Sequence, residues 1–209
     1  MAKKKTNVKN DTDASQQAEA PLAPETEEFS YTLKIPADRV GVLIGTSGQI
    51  KKQVEQETNS KIAVDSKEGE VTITATNGLH LYDAREVIRA IARGFNPDTA
   101  MLLLKGDYAL EIITIPEFTG KNKKAMQRLK GRIIGAEGKA KHEIEHLTDT
   151  SISIYGKTVS IIGDVENVSS ARRAVESLLE GSTHASVYHA LEKRRRERRF
   201  LDITGKEKP

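Results

Sequence analysis

A five-residue glycine string occurs twice in this 209-residue chain, at positions 90 residues apart. The two copies read Ile44-Gly45-Thr46-Ser47-Gly48 and Ile134-Gly135-Ala136-Glu137-Gly138. Each copy follows an aliphatic residue and precedes a polar segment with helical character. Because glycine has no Cβ atom, backbone N–H groups beside it can approach a phosphate closely. The duplication therefore predicts two nucleic-acid-binding modules.

The similarity between the copies continues beyond the glycine strings. Identical residues recur at the same offset up to Ile152, conservative pairs fill the gaps between them, and the register resumes after a slightly different turn. The identical pairs are Lys51 and Lys141, Glu55 and Glu145, Thr58 and Thr148, Ile62 and Ile152, and Gly94 and Gly181. A match that persists over roughly 50 residues indicates a duplicated domain.

The composition excludes several classes of protein. No apolar run is as long as a membrane span. The chain has no cysteine, which excludes disulfides, cysteine metal ligands and a cysteine nucleophile, and fits a cytoplasmic protein. Aromatic residues make up 4% and tryptophan is absent, so the modules are unlike RNA-binding platforms that stack bases on rings.

The charge is unevenly distributed along the chain. The net charge is +3, which is small for a nucleic-acid-binding protein. Residues 1–28 hold four lysines and six acidic residues, whereas residues 191–209 hold eight lysines or arginines and four acidic residues. Binding to RNA must therefore depend on local placement of cations, with a contribution from the basic C-terminal end.

The hydrophobic periodicity predicts the element order β-α-α-β-β-α twice. This order predicts an α+β fold in which each module has a three-stranded sheet with helices on one face. We expect the first helix to begin at Val40 and the first strand of the second copy to begin at Leu110. The expected divisions are a disordered tail over 1–28, a first module over 29–95, a helical linker over 96–106, a second module over 107–182, and a C-terminal helix with a basic tail over 183–209. Because the linker is short, we expect the modules to pack together.

The element order, with I-G-x-x-G between the first two helices, resembles the eukaryotic topology of the KH RNA-binding domain. Three longer strings resemble one family more narrowly, the archaeal counterpart of the ribosome-assembly KH factor called partner of Nob-one. They are Gly94-Phe95-Asn96-Pro97-Asp98-Thr99-Ala100, Gly131-Arg132-Ile133-Ile134-Gly135 with Gly138-Lys139, and Gly156-Lys157-Thr158-Val159-Ser160-Ile161-Ile162-Gly163. The resemblance covers about residues 29–182.

The resemblance implies a protein that binds RNA and has no catalysis or cofactor of its own. Its ligand would be the single-stranded 3′ end region of small-subunit ribosomal RNA during ribosome maturation. Its protein partners would be a PIN-domain endonuclease and the alpha subunit of translation initiation factor two, and it would not bind membranes. Composition and spacing alone show none of these partners.

The residues predicted to contact RNA are the two loops, nearby cations and part of an apolar groove between the helices and the middle strand. In the first copy they are Ile44, Gly45, Thr46, Ser47, Gly48, Lys51, Lys52, Ile62 and Val64. In the second copy and the tail they are Arg132, Gly135, Ala136, Glu137, Gly138, Lys139, Lys141, Arg194, Arg195 and Arg196. The groove floor would also include Val42 or Leu43 and Ile50, with Ile133, Ala140, Ile152 and Ile154 as the equivalents. Ile62 and its neighbours fit a plain hydrophobic core equally well.

The two loops differ in charge. Thr46 and Ser47 are neutral hydrogen-bond donors, whereas Glu137 puts a carboxylate where phosphate would bind. Lys139, Lys141 and Arg132 could offset that carboxylate. The first copy is therefore expected to make the ordinary phosphate contact, and the second to contact RNA differently or chiefly to bind protein. Lys51 and Lys141 stand where many KH domains have isoleucine.

The string His142-Glu143-Ile144-Glu145-His146 matches the H-E-x-x-H pattern of zinc hydrolases. At helical spacing both histidines lie opposite the apolar stripe, so surface residues are the favoured interpretation. The alternatives that stay open are a generic RNA adaptor of the exosome or of messenger RNA, a zinc-dependent hydrolase, and a protein scaffold. The arginines of the tail also fit a solvated helix end.

Overall fold

The computed structural model describes residues 28–204. The predicted disordered tail therefore lies outside the described residues, apart from Glu28. The fold is α+β, as predicted, with two three-stranded antiparallel sheets. None of the helices within the described part is long and apolar enough to cross a membrane.

The first module has the predicted element order. Its elements are β1 (Phe29–Lys34), α1 (Ala37–Ile44), α2 (Gln49–Glu57), β2 (Lys61–Asp65), β3 (Glu70–Ala75) and α3 (Gly78–Ala92), with a 3-10 turn at Thr46–Gly48 between α1 and α2. The strand order is β1-β3-β2, so β2 is an edge strand. Helix α1 begins three residues earlier than expected, because Pro36 directly before it has φ −59°, a value that suits entry into a helix.

A short linker leads into the second module. It contains α4 (Pro97–Met101) and a 3-10 turn at Leu102–Leu104. The module continues with β4 (Tyr108–Thr114), α5 (Pro116–Thr119), α6 (Lys123–Ile134), α7 (Lys139–Thr148), β5 (Ser151–Tyr155), β6 (Thr158–Asp164), α8 (Val165–Glu180) and α9 (His184–Thr204), with a 3-10 turn at Ala136–Gly138. Its strand order is β4-β6-β5. The short helix α5 is not in the predicted pattern, and β4 begins at Tyr108 because that residue pairs with Asp164.

The first sheet has one buried face and one polar face. On strand β3, Val71 and Ile73 are fully buried against the helices, whereas Thr72 and Thr74 alternate with them on the other face and are partly exposed. This alternation is the pattern of a sheet that is covered on one side only. The prediction of helices on one face is therefore confirmed for the first module.

The second sheet is covered on both faces. Strand β6 is buried from Thr158 to Gly163, and its Ile162 belongs to the hydrophobic core of the first module. Tyr108 and Leu110 of β4 pack against that same core, which also contains Phe95 and Ala100 from the linker region. The first module and the linker therefore cover the face of the second sheet that its own helices leave open. The predicted packing of the modules is confirmed, and the helices of the second module lie on one face of its sheet, as predicted, while the first module covers the other face.

Helix α9 contributes to the second module as well as to the tail. Val187 and Leu191 are 4% and 6% exposed and belong to the core formed by α6, α7 and α8. The structural unit therefore extends past residue 182, where the sequence pattern placed its end.

Candidate nucleic-acid interface

The two glycine loops have the same backbone conformation. Gly45 has φ 70° and ψ −178°, and Gly135 has φ 73° and ψ 178°. Gly48 and Gly138 are left-handed, with φ 76° and 79°. The residue before each left-handed glycine, Ser47 or Glu137, has φ 54° although it carries a side chain. The duplication seen in the sequence is thus a duplication of conformation.

Packing requires the first glycine of each loop. A Cβ atom on Gly45 would lie 2.4 Å from Cγ1 of Ile50, and one on Gly135 would lie 2.6 Å from Cβ of Ala140. Each loop leads directly into the first turn of α2 or α7, where backbone N–H groups have no partner within the helix. The exposed residues of each loop, such as Thr46 and Ser47, therefore lie at the N-terminal end of a helix, where the helix dipole favours an anion.

The carboxylate of the second loop has a cationic neighbour. Oε2 of Glu137 lies 3.4 Å from Nζ of Lys139, and both side chains are about four-fifths exposed, at 83% and 78%. An exposed pair of this kind is weak and can rearrange when another charge approaches. Lys139 thus stands where it can offset Glu137, while the first loop has no charge to offset.

A lysine–glutamate pair links a helix to the edge strand in both modules. Oε1 of Glu55 accepts a hydrogen bond from the backbone N–H of Ile62 at 2.7 Å, and Oε1 of Glu145 accepts one from Ile152 at 2.7 Å. Nζ of Lys51 and Lys141 lie 3.7 Å and 3.2 Å from the same oxygens. The lysines that replace the usual isoleucine are therefore partners of these carboxylates.

The role of Glu55 and Glu145 was not predicted, although their identity in the repeat was a signal. Each carboxylate accepts a hydrogen bond from an outward-pointing N–H of an edge strand. Without the carboxylate, that N–H would need water or a ligand as its partner. A glutamate four residues after a lysine, repeated in both copies, is the pattern that could have revealed the pair.

The predicted groove residues divide into core and surface. Ile62 and Ile152 are 2% and 3% exposed, and Leu43 and Ile133 are fully buried, so their side chains do not line a surface. The prediction of Ile62 as a contact residue is corrected accordingly: its side chain faces the helices of its module. The partly exposed apolar residues beside the loops are Val42, Ile44, Ile50 and Val64 in the first module and Ile134 and Ile154 in the second.

The groove of the second module has an additional wall. It is a depression of about 510 Å³ between α6, α7 and β5 on one side and residues Gly94–Thr99 on the other. Ser153 Oγ donates to the carbonyl oxygen of Arg93, directly before this wall, at 2.9 Å. The Tyr155 hydroxyl joins β5 to α1 of the first module by donating to the two carboxylate oxygens of Asp38, at 2.7 and 2.6 Å. The hydrogen bond to Asp38 is the main reason that the pKa of Tyr155 is raised above its usual value.

Arg132 connects two parts of the second module through hydrogen bonds. Its Nη2 donates to the backbone oxygen of Ser182, and its own carbonyl oxygen lies 2.9 Å from Nε2 of His184. It thus ties the end of α6 to the turn between α8 and α9. Arg132 was predicted to contact RNA, and Nη2 of its guanidinium instead donates to the backbone within the protein.

The predicted arginines of the tail lie away from the second loop. Arg194 and Arg195 line a small cleft with Leu147 and Thr148 at the C-terminal end of α7, whereas the loop lies at the N-terminal end. Helix α7 has ten residues and is therefore about 15 Å long, so this distance separates the cleft from the second loop. Arg194 and Arg196 are exposed, while Arg195 is half-buried.

The histidines of the H-E-x-x-H string occupy the helix surface. His142 and His146 are exposed on α7, opposite the buried Ile144. Within residues 28–204, no group of three or more His, Cys, Asp or Glu side chains is placed to hold a metal ion. The exposed positions agree with the predicted orientation of the helix.

The fold and the loops define the class of this protein: two packed KH modules, each with its glycine loop at the start of a helix. Residues 30–90 match the model of the KH domain, and residues 109–196 match a model for the second domain of PNO1 proteins, described as a eukaryotic type KH-domain, or KH-domain type I. The chain belongs to the PNO1/Dim2 family of KH-domain ribosome-assembly factors.

Three relatives illustrate this membership. The KH domain-containing protein MJ0443 of Methanocaldococcus jannaschii is 47% identical over 78% of this chain and 73% of its own length. The crystal structure of the a/eIF2alpha-aDim2p-rRNA complex from Pyrococcus horikoshii OT3 contains a chain that is 43% identical, with a TM-score of 0.77 over 82% of this chain and 97% of that one. The pre-rRNA-processing protein PNO1 of Chaetomium thermophilum is 36% identical over 51% of this chain, and the match spans 42% of its length.

Proposed function

We propose that this chain is an RNA-binding factor of small-subunit ribosome maturation, and that it binds single-stranded RNA near the 3′ end of the small-subunit ribosomal RNA. The observation that carries the proposal is the pair of glycine loops with the same backbone conformation, each opening onto the start of a helix. The matched Pyrococcus protein was solved in complex with ribosomal RNA, and the Chaetomium relative is a pre-rRNA-processing protein.

In this proposal the loops bind phosphates and the partly exposed aliphatic residues contact bases. The amides at the starts of α2 and α7 donate to the RNA backbone, with Lys52 and Lys139 as exposed cations nearby. Ile44 and Val64 in the first module, and Ile134 and Ile154 in the second, provide the apolar surface. The protein holds and presents RNA, and it contributes no catalytic group.

The proposed protein partners are the alpha subunit of translation initiation factor two and a PIN-domain endonuclease. Support for the first is that the matched Pyrococcus chain was crystallised with that subunit and ribosomal RNA. The second rests on the family resemblance alone. A factor with these partners would act in the cytoplasm.

The experiment that tests the proposal is crosslinking of the full chain to RNA in cells, followed by sequencing of the bound RNA. Enrichment of reads at the 3′ end of the small-subunit ribosomal RNA is the expected result. Reads that fall mainly on messenger RNA would instead favour a general RNA adaptor. A variant with Thr46→Asp, Ser47→Asp and Lys139→Glu together serves as the control, because it should lose most of the reads through charge repulsion.

A further inference from the structure

Strand β1 and helix α3 of the first module expose a group of apolar side chains. Phe29 and Tyr31 of β1, with Leu79 and Tyr82 of α3, are four of the eight large hydrophobic side chains that are exposed within residues 28–204. The whole chain has only nine Phe and Tyr residues and no tryptophan, so three aromatic rings in one place are a concentration. These four residues define the β1–α3 surface. Grouped apolar side chains of this kind mark interaction sites, whereas scattered ones do not.

An arginine holds the two tyrosines of this surface together. Cζ of Arg85 lies 5.5 Å from the ring centroid of Tyr31 and 5.0 Å from that of Tyr82, within the range of a cation–π contact. Oε1 of the buried Glu86 accepts from Nε and Nη2 of Arg85 at 3.1 and 2.9 Å, and from Nη1 of Arg89 at 2.7 Å. The cluster is therefore ordered before a partner arrives, which lowers the entropic cost of binding.

A groove continues from this cluster along β1 to the C-terminal end of α3. Its volume is about 600 Å³, and Tyr31 and Leu33 contribute to its apolar lining. The charged residues of the lining are three cations and one carboxylate: Lys34, Arg89, Arg93 and Glu68. Lys34 and Arg93 make no ion pair within the described part of the chain. The groove therefore favours an occupant that carries a few negative charges.

Strand β1 lies at an edge of its sheet, because the strand order is β1-β3-β2. On its outer side, the backbone N–H and C=O groups of β1 pair with no strand of residues 28–204. A free edge of this kind is a template onto which an extended peptide can add a strand. Since side chains alternate along a strand, every second side chain of such a peptide would face the groove, as Tyr31 and Leu33 do.

The second module shows that the fold does not require this surface. By strand register and by the helix N-caps, the equivalents of Tyr31, Leu79 and Tyr82 are polar or charged: Glu111, Glu166 and Ser169. The equivalent of Arg85 is Arg172, whose Nη1 lies 2.9 Å from Oε2 of Glu111. A charged side chain on an edge strand opposes the addition of another strand. Strand β4 has that protection at this position, and β1 has an exposed tyrosine there instead.

We propose that the β1–α3 surface and its groove dock an extended acidic segment of a protein partner, which adds a strand to β1. Backbone groups of the segment pair with the free edge. Its apolar side chains pack on Tyr31 and Tyr82, and its carboxylates pair with Arg89 and Arg93. The groove beside the first glycine loop lies at β2, the opposite edge of the sheet, so this docking goes beyond RNA binding and leaves that groove open.

Two observations favour a peptide over the other occupants. Arg85 already lies over the rings of Tyr31 and Tyr82, where bases of an RNA would stack. An excess of a few cations matches a few carboxylates, whereas a row of phosphates calls for a longer basic track. A second copy of this chain is disfavoured because it would bring two positively charged grooves together.

The experiment selects peptides on the full chain from a phage library of random peptides of about twelve residues, long enough to pair with all of β1. The selected peptides should share carboxylates and apolar residues at alternating positions. The most enriched peptide is synthesised with a fluorophore, and its affinity is measured by fluorescence anisotropy. On addition of this peptide, amide hydrogen exchange should slow in Phe29–Lys34 and stay unchanged in Tyr108–Thr114.

Three variants locate the bound peptide. Tyr31→Glu should weaken its binding about tenfold, because a carboxylate replaces the apolar ring at the edge. The variant is expected to fold, since the second module has a glutamate beside an arginine at this position. Thr74→Glu is the matched control, because it adds the same charge on the other face of the same sheet and should leave binding unchanged. Arg93→Gln should weaken binding about threefold at low salt and by less at high salt.

Each other outcome would overturn the proposal in a distinct way. No enriched peptide, or one that binds the folded Tyr31→Glu variant as tightly as the unmodified chain, would show that this surface docks no peptide. A tenfold loss of affinity for single-stranded RNA in Tyr31→Glu would make the surface an RNA site. A dimer in sedimentation that Tyr31→Glu dissociates would make the occupant a second copy.

The acidic residues that precede β1 are the remaining alternative occupant. Tighter peptide binding after Glu25→Gln, Glu27→Gln and Glu28→Gln in the full chain would show that this part of the same chain takes the place of a partner. Unchanged binding is expected. The affinity of the unmodified chain for single-stranded RNA tests the proposed function separately, so failure of one proposal does not decide the other.

Discussion

The two modules share their loops but differ in what covers their sheets and their grooves. In the first, the outer sheet face is polar and the groove beside β2 is open. In the second, the equivalent face packs on the first module, and the groove gains a wall from residues 94–99. Duplication thus produced two similar backbones in different environments. Two copies of one binding element can therefore acquire different surroundings from what packs against them.

The largest expected effect concerns the buried outer face of the second sheet. Ile162 of β6 occupies the position of Thr74 of β3, since both pair with the first residue of the neighbouring edge strand. Ile162→Thr should lower the free energy of unfolding by about 3 kcal/mol, because it leaves a cavity and buries a hydroxyl. Thr74→Ile, the reverse exchange on an exposed face, should change it by about 0.5 kcal/mol or less. Urea denaturation of both variants measures the two free energies of unfolding. Equal losses would contradict the claim that only the outer face of the second sheet is buried.

The next effect concerns the loops, where the modules should behave alike. Gly45→Ala and Gly135→Ala should each destabilise the protein by about 2 kcal/mol, because the new Cβ collides with α2 or α7 in a conformation that suits only glycine. Gly48→Ala and Gly138→Ala should cost about 1 kcal/mol, because no atom lies within 4 Å of the added Cβ and only left-handed strain remains. Thermal denaturation can rank the four variants. A different order in the two modules would contradict the equivalence of the loops.

The charge difference between the loops should appear in RNA affinity. Thr46→Asp with Ser47→Asp should weaken binding of single-stranded RNA about tenfold at low salt, because two carboxylates are placed where the first loop would meet a phosphate. Glu137→Ala should strengthen binding by a smaller factor, about twofold, because Lys139 already offsets that carboxylate. Titrations at two salt concentrations measure both. Unchanged affinity of the double variant would exclude the first loop as a phosphate site.

The smallest effect concerns the contact between the modules at Tyr155. Tyr155→Phe should lower the free energy of unfolding by about 0.5–1 kcal/mol, because the bond to Asp38 is partly exposed. Since Asp38 raises the pKa of Tyr155, the folded state retains the phenolic proton more firmly than the unfolded state. The contribution is therefore complete below about pH 10 and is lost as the pH rises through the folded pKa. Stability measured from pH 8 to pH 11 should fall less steeply for the variant than for the unmodified chain.

Much of the fold could be predicted because its signals are local. The order β-α-α-β-β-α was predicted for both modules, since turn residues and alternating or helical patterns mark the elements within a few positions. The helical α5 was missed because four residues are too few to show a period. Strand β6 is buried from Thr158 to Gly163, and nothing in its sequence identified the element that covers its second face.

The candidate site was predicted less completely than the fold. The loops and the exposed histidines lie as expected, because they depend on neighbours in the chain. Ile62 was left open between the groove and the core and is buried, and Arg132 was predicted to contact RNA but donates to the backbone oxygen of Ser182. Contacts across 50 residues of sequence leave no local pattern that could correct such an assignment.

The sequence alone determined that there are two modules of one kind, each with a glycine loop at the start of a helix. It could do so because glycine positions and hydrophobic periods encode local conformation directly. Only the tertiary structure decided which face of each sheet is covered, which groove has a second wall and which arginines are engaged. Periodicity shows that a face is apolar, but what packs against it depends on residues far apart in the chain, such as Gly94 and Tyr155.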